Sequence, residues 1–213
     1  MRLTPNVPLR FNILTIFIIL LVSTVSFILY FSYVRNARAF LRQSENAMWS
    51  AGRSCVNKTH DYLTPAAKLS SMASCLLEQD TISLGDWNKI EAMAMDMVGQ
   101  YPQLAMFNFG DTQGNFLMIK TMPDKTLATK IIDRRKKIPT VTWKYRDKAG
   151  KIIKTETSTK VQYDPRLRPW YKSAFRDKKL CWSNLYFFFT DKKPGISASY
   201  PVFNKNGKTI GAL

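Results

Sequence analysis

The most chemically loaded stretch of the sequence is Tyr163-Asp-Pro-Arg166-Leu-Arg168-Pro-Trp170-Tyr171-Lys-Ser-Ala-Phe175. It sets two guanidiniums, an indole and two phenols close together, with two prolines stiffening the backbone between them. Pro169 suits the first position of a short helix, where its missing N–H goes unneeded. A guanidinium held this way can grip a carboxylate through two parallel hydrogen bonds, worth about 1.5–3 kcal/mol when shielded from water. The aromatic rings supply walls and hydroxyl donors. This is the chemistry of holding a small anion. Arg168 reads as the ligand-facing cation. Arg166 reads as a brace, pairing with a carboxylate such as Asp164 or Asp177. The plainer alternative is that Arg166, Arg168 and Trp170 together only brace a sheet.

Little else in the 213 residues points to chemistry. His60 is the single histidine, too little for a zinc site, and no metal or cofactor is expected. The sequence has no phosphate-cradling glycine loop and no nucleophile with a placed base, so these residues are not expected to form an enzyme. The three cysteines, Cys55, Cys75 and Cys181, cannot all pair within the chain and read as small buried hydrophobes. A Cys55–Cys75 bridge would need the chain to turn back between them. The charge is +17, from 32 Lys+Arg against 15 Asp+Glu. The basic residues are scattered through turns, as in Asp133-Arg-Arg-Lys-Lys137, and do not line a base-reading element, so no nucleic-acid partner is expected. A solvated face near anionic lipid accounts for them better.

The elements that must position the cluster follow from the periodicity. Residues 11–34 carry no charge. As a helix rising about 1.5 Å per residue the run exceeds the roughly 30 Å hydrocarbon core, so it reads as an uncleaved membrane span and not a signal peptide. Residues 1–10 form the tail before it, and Arg2 and Arg10 against Arg35, Arg38 and Arg42 do not by themselves orient it. A long helical stretch then runs from Arg35 to about Gln79. Its stripe of Ala37, Leu41, Ser44, Met48, Ala51 and Cys55 is heptad-like and suits either packing on the chain's own sheet or a parallel homodimer seam. Pro65 should interrupt this stretch, with Thr64 capping a second helical piece. A further helix fits Gly85 to Gln100, with Asp86 as N-cap and Ile90, Met93, Ala94 and Met97 as its apolar face. Met72, Met93, Met95 and Met97 read as core filler.

From Pro102 the period changes to that of strands. Leu104–Phe109 and Asn115–Thr121 form one hairpin around Asp111-Thr-Gln-Gly114. Val141–Arg146 and Lys151–Thr157 form another around Asp147-Lys-Ala-Gly150. Strands also fit Ser183–Phe189, Ser197–Phe203 and Thr209–Leu213. The layout is α+β: helices over residues 35–100 and an antiparallel sheet over 101–213. Ending inside a strand suggests that the sensor continues and that an output region follows.

At this point the sequence resembles the Cache sensor family, specifically the membrane-distal half of double Cache domains. The residues that carry the likeness are Tyr163-Asp-Pro-Arg-Leu-Arg-Pro-Trp-Tyr171 and Trp182-Ser-Asn-Leu-Tyr186. Pro194-Gly-Ile-Ser-Ala-Ser-Tyr-Pro-Val202 and Asn206-Gly-Lys-Thr-Ile-Gly211 follow in the family's order. The resemblance implies a PAS-like antiparallel sheet with short flanking helices, and an extracytoplasmic sensor of a bacterial receptor. Such receptors include chemotaxis proteins, histidine kinases and nucleotide cyclases, with the N-terminus inside and the sensor outside the inner membrane. It further implies that Tyr163, Arg168, Trp170 and Tyr171, with Tyr186 beyond them, hold the carboxylate region of a small carboxylate or amino-acid-like ligand. Amino-acid-sensing members carry an aspartate two residues after that last tyrosine, to grip the amino group; here the position is Phe188. The expected partners are therefore a small molecule, membrane lipid and a second copy of the chain through the long helix. The alternative is a membrane-tethered interaction module without a ligand.

Overall fold

The computed structural model describes residues 9–213, so the tail expected over residues 1–10 lies almost wholly outside the described residues. The chain forms two units, divided between Thr59 and His60. Helix α1, Leu9–Glu78, contributes to both.

The first unit is helical throughout its described residues. Its large apolar side chains from Ile13 to Tyr33 are exposed, and its most apolar 18-residue window has a mean hydropathy of 2.6 with none of it buried. This one helix is long and apolar enough to cross a membrane. Within the apolar run, the Ser23 and Thr24 hydroxyls donate to the Leu20 carbonyl at 2.9 and 3.0 Å, which satisfies them inside the helix. The heptad-like stripe is exposed except for half-exposed Ser44. Cys55 and Cys75 are exposed and unbridged and Cys181 is half-buried, which corrects their reading as buried hydrophobes. The expected break at Pro65 is also absent. The Thr64 hydroxyl donates to the His60 carbonyl one turn back at 2.7 Å instead of capping a new helix, and the helix continues to Glu78.

In the second unit, α2 (Trp87–Gln100) starts as the sequence indicates, the Asp86 carboxylate accepting from the Lys89 N–H. The strands are β1 (Met106–Asp111), β2 (Phe116–Thr121), β3 (Leu127–Asp133), β4 (Thr140–Arg146) and β5 (Ile152–Ser158). A 3-10 turn (Pro165–Leu167) leads into α3 (Pro169–Asp177). Then come β6 (Cys181–Trp182), β7 (Tyr186–Phe187), β8 (Pro194–Gly195), β9 (Ala198–Ser199), β10 (Pro201–Phe203) and β11 (Thr209–Ala212). The main sheet has seven strands in the order β10-β11-β1-β2-β3-β4-β5, every pair antiparallel. The long strands expected over 183–189 and 197–203 resolve into the small ladders β6–β9 and β7–β8, with β10 alone joining the main sheet.

Strand alternation divides the sheet's side chains between two layers. One face takes Phe109, Leu117 and Ile119, packed under Leu69, Ala73 and Leu77 of α1 and Ile90, Ala94 and Met97 of α2. The other takes Phe116, Met118 and Ile132, covered by Tyr163, Trp170, Tyr171 and Ala174. Strand β3 went unrecognised in the sequence. Its centre, Thr129-Lys130, is polar yet buried, so the apolar alternation that would mark a strand is missing.

The polar residues inside the helical layer form a closed set. Glu91 of α2 accepts from Lys144 at 2.6 Å and from Thr129 Oγ1 at 2.7 Å, and it pairs with buried Arg146, which also donates to Thr129. Burial pushes the Glu91 pKa up, but the hydrogen bonds from Lys144, Thr129 and Arg146 outweigh it and hold the carboxyl below its ordinary value. The stability this adds is present above the ordinary carboxylate pKa and is lost as pH falls through the lowered one. Removing one member strands buried charge. Glu91→Ala is therefore expected to cost about 3–5 kcal/mol at neutral pH and less in acid, measured by denaturant unfolding of the second unit followed through tryptophan fluorescence.

Candidate functional site

The site sits on the sheet face opposite the long helices. Asp164 opens the segment by accepting from the Arg166 N–H at 2.9 Å, which caps the 3-10 turn. Pro165 and Pro169 each begin a helical turn, and Arg168 lies between them in extended backbone, at the end of one turn and the start of the next. The segment is clamped to the β1–β2 turn from two sides. Arg134 donates to the carbonyls of Tyr163 at 2.8 Å and Gly114 at 2.9 Å. Arg166 pairs with Asp164 at 2.7 Å and donates to the Thr112 carbonyl at 3.4 Å, which makes it the brace expected from its position. Asp177 pairs with Arg176 instead.

Close approach of this segment to the sheet depends on Gly110. A Cβ there would meet Pro165 Cβ at 2.9 Å and the Trp170 ring at 3.3 Å. With only hydrogen at that position, Trp170 lies 2% exposed and its indole N–H donates to the Tyr163 hydroxyl at 3.4 Å.

Four of the five expected site residues come together. Tyr163, Arg168, Trp170 and Tyr186 line one cavity of about 20 Å³, with Asn108, Phe188 and Phe189. That volume suits about one water molecule, so a metabolite requires the wall of the site to move. The Arg168 guanidinium carbon lies 5.4 Å from the Tyr163 ring centre and 5.0 Å from that of Phe189. Among the described residues no carboxylate forms an ion pair with it. The Tyr186 hydroxyl shares a 2.8 Å hydrogen bond with Ser197. Tyr171 is placed differently. Its hydroxyl donates to the Asp111 carbonyl at 3.1 Å and its ring stacks on Phe175, so it supports the segment and lines none of the cavities described here.

Burial governs the phenols. It pushes Tyr163 up to about 12, against the opposing hydrogen bond from Trp170 and the charge of Arg168. Burial also raises Tyr186, opposed by Ser197 and Arg168. Both remain neutral hydroxyls at any physiological pH, able to donate to an anion.

Several contributors escaped the sequence reading. Phe188, at the position where the resemblance expects an aspartate, packs over Gly195. Its turn is held down by the Lys120–Asp191 ion pair. Asn108 Oδ1 is buried without a hydrogen-bond partner. Lys130 is 8% exposed, with its ammonium 5.3 Å from the ring centres of Trp143 and Tyr163. Recognising β3 as a strand with Lys130 on the Met118 face would have exposed this last one.

Two outcomes follow. Gly110→Ala should cost about 1–3 kcal/mol by forcing Pro165 and Trp170 off the sheet, read as a lowered thermal midpoint. In ultraviolet titration, the difference between the native chain and Tyr163→Phe should show a phenol ionising near pH 12 and not near 10.

Residues 125–213 match the family model described as the methyl-accepting chemotaxis protein-like first PDC sensor domain. Among solved structures, the ligand-binding domain of the amino acid chemoreceptor PctC of Pseudomonas aeruginosa PAO1, in complex with GABA, aligns with a TM-score of 0.50 at 18% identity. The alignment covers 79% of this chain and 58% of that one. The ligand-binding domain of Mlp24 with asparagine aligns at 0.48 and 18% identity, over 79% and 54% of the two chains. That of PctB from the same Pseudomonas strain, with L-Arg, aligns at 0.45 and 14%, over 72% and 48%. None of the curated proteins matches. The chain thus spans roughly half the length of the structures it resembles. At these identities the likeness is one of fold. Over residues 125–213 the chain is similar to a PDC-type sensor domain, and it shares the fold of the PctC ligand-binding domain.

Proposed function

We propose that this chain is the extracytoplasmic sensing part of a transmembrane receptor, and that it binds a small carboxylate or amino-acid-like ligand through Arg168. One observation carries the reading. Arg168 is a half-buried guanidinium with no carboxylate partner among the described residues, held beside neutral Tyr163, Trp170 and Tyr186 at a small cavity. The carboxylate is gripped by Arg168, with Tyr163 and Tyr186 as hydroxyl donors, and Tyr171 keeps the segment in place. The GABA held by the PctC domain is a ligand of this chemical size, which supports a carboxylate here.

The output is a shift of α1. Its Ser70 hydroxyl donates to the Ala198 carbonyl at 3.3 Å and Ser74 to the Pro201 carbonyl at 2.7 Å. Ser197, one residue before Ala198, holds Tyr186. A ligand that moves the Tyr186 wall therefore pulls on a helix that also contains the apolar span. In this reading the N-terminus lies inside the inner membrane and the domain on the periplasmic side. The exposed stripe from Ala37 to Cys55 joins two copies in a homodimer, with Arg35, Arg38 and Arg42 near lipid headgroups. Any such shift is limited by the ligand's difference in affinity for the two arrangements.

The test is a thermal-shift series on the full chain in lipid nanodiscs, with GABA, butyrate and succinate as probes. A ligand at 100 times its dissociation constant should add about 2.7 kcal/mol of stability. Arg168→Ala should abolish the shift. Absence of a shift with every probe, or the same affinity in Arg168→Ala, leaves a tethered module without this site.

A further inference from the structure

A second and larger space, about 240 Å³ and open to solvent, shares the Tyr163 and Phe189 rings with the small cavity. Lys130, Trp143, Lys160 and Gln162 line it too, as does the acidic Glu156. Lys130 is an unusual group to bury. It is 8% exposed and, among the described residues, has neither a hydrogen bond nor an ion pair. Three rings stand near its ammonium: Trp143 and Tyr163 at 5.3 Å and Phe189 at 5.9 Å. Aromatic faces compensate a desolvated cation only in part. Burial pushes the Lys130 pKa down, and the charge of Lys120 adds to this. An anion in the adjoining space would supply what the fold withholds.

The two cations share their walls. Arg168 lies 5.4 and 5.0 Å from the same Tyr163 and Phe189 rings and lines the small cavity. Lys192 adds a third cation 4.6 Å from Phe189. The acidic groups nearby are paired with other cations: Asp191 with Lys120, and Glu156, in the lining itself, with Lys154. The position where a carboxylate would meet an amino group is Phe188. Asn108 can present either end of its amide to a ligand. Phe189 is the movable wall, half-buried on the turn where Phe188 N–H donates to the Lys193 carbonyl, whereas Tyr163 is buried beneath it. A ligand ammonium placed between these cations is repelled; a second carboxylate is attracted.

We infer that Lys130 is a specificity-determining residue, which takes the second acidic group of a short aliphatic dicarboxylate whose first acidic group is on Arg168. This rests on the sensor reading above and names the ligand class of that site. Displacement of Phe189 joins the two spaces, a side-chain change of the size common on binding.

The test compares succinate with butyrate, and both with GABA, by calorimetric titration of the full chain in nanodiscs. In the native chain succinate should bind at least about tenfold more tightly than butyrate, and GABA more weakly than butyrate. Lys130→Met, which keeps the side chain's length without its charge, should remove the succinate advantage and leave butyrate within about twofold. Arg168→Ala should weaken both. Equal affinities for succinate and butyrate in the native chain overturn the inference while leaving the sensor reading intact, and this comparison needs no variant to fold. Unchanged succinate binding in Lys130→Met overturns it too. If neither acid binds at all, the sensor reading fails and the inference fails with it.

Discussion

The close contact of Pro165 and Trp170 with the backbone at Gly110 is the constraint on which the site depends. A side chain at Gly110 would hold the segment away from the sheet. Once the segment is seated, Tyr163 and Trp170 become core residues of the second layer, and Arg168 is carried to the cavity by extended backbone between two proline-started turns. Site and core are thus one packing event. The residues that would touch a ligand also close the sheet, so occupancy of the cavity is coupled to the packing of that layer.

Charge in the second unit is treated in two opposite ways. In the helical layer, Glu91 is surrounded by Lys144, Arg146 and Thr129 until every group is satisfied, which fixes α2 on β3 and β4. On the other face, Lys130 and Arg168 lie against rings without carboxylate partners among the described residues. A buried charge left with incomplete compensation costs stability, and the proposed ligand is what would supply the missing partner. The two faces thus differ in whether the chain itself satisfies its buried charge.

Much of the architecture was legible because short-range physics dictates it. The uncharged run over 11–34 forms a helix long and apolar enough to cross a membrane, Asp86 caps α2, and the turns at Gly114 and Gly150 use the positive φ that glycine allows. The continuity of α1 through Pro65 was not legible. One missing N–H does not decide a helix whose remaining bonds hold, with Thr64 bonded to the preceding turn. Strand β3 was missed because burial on both faces by ion pairs and rings replaces the apolar alternation by which strands are recognised.

For the site, the residue types and spacing from Tyr163 to Phe175 marked by themselves a cluster able to hold an anion, since prolines fix local backbone and a guanidinium has one chemistry, whereas Tyr186 entered only through the family resemblance. Tertiary structure alone decided the division of labour. It turned Tyr171 to the Asp111 carbonyl, paired Arg166 with Asp164, left Arg168 without a carboxylate partner among the described residues, and brought Lys130 from a separate strand to the same rings. The physical reason is that pairing and burial depend on groups distant in sequence, which only the register of β2, β3 and β4 brings within reach.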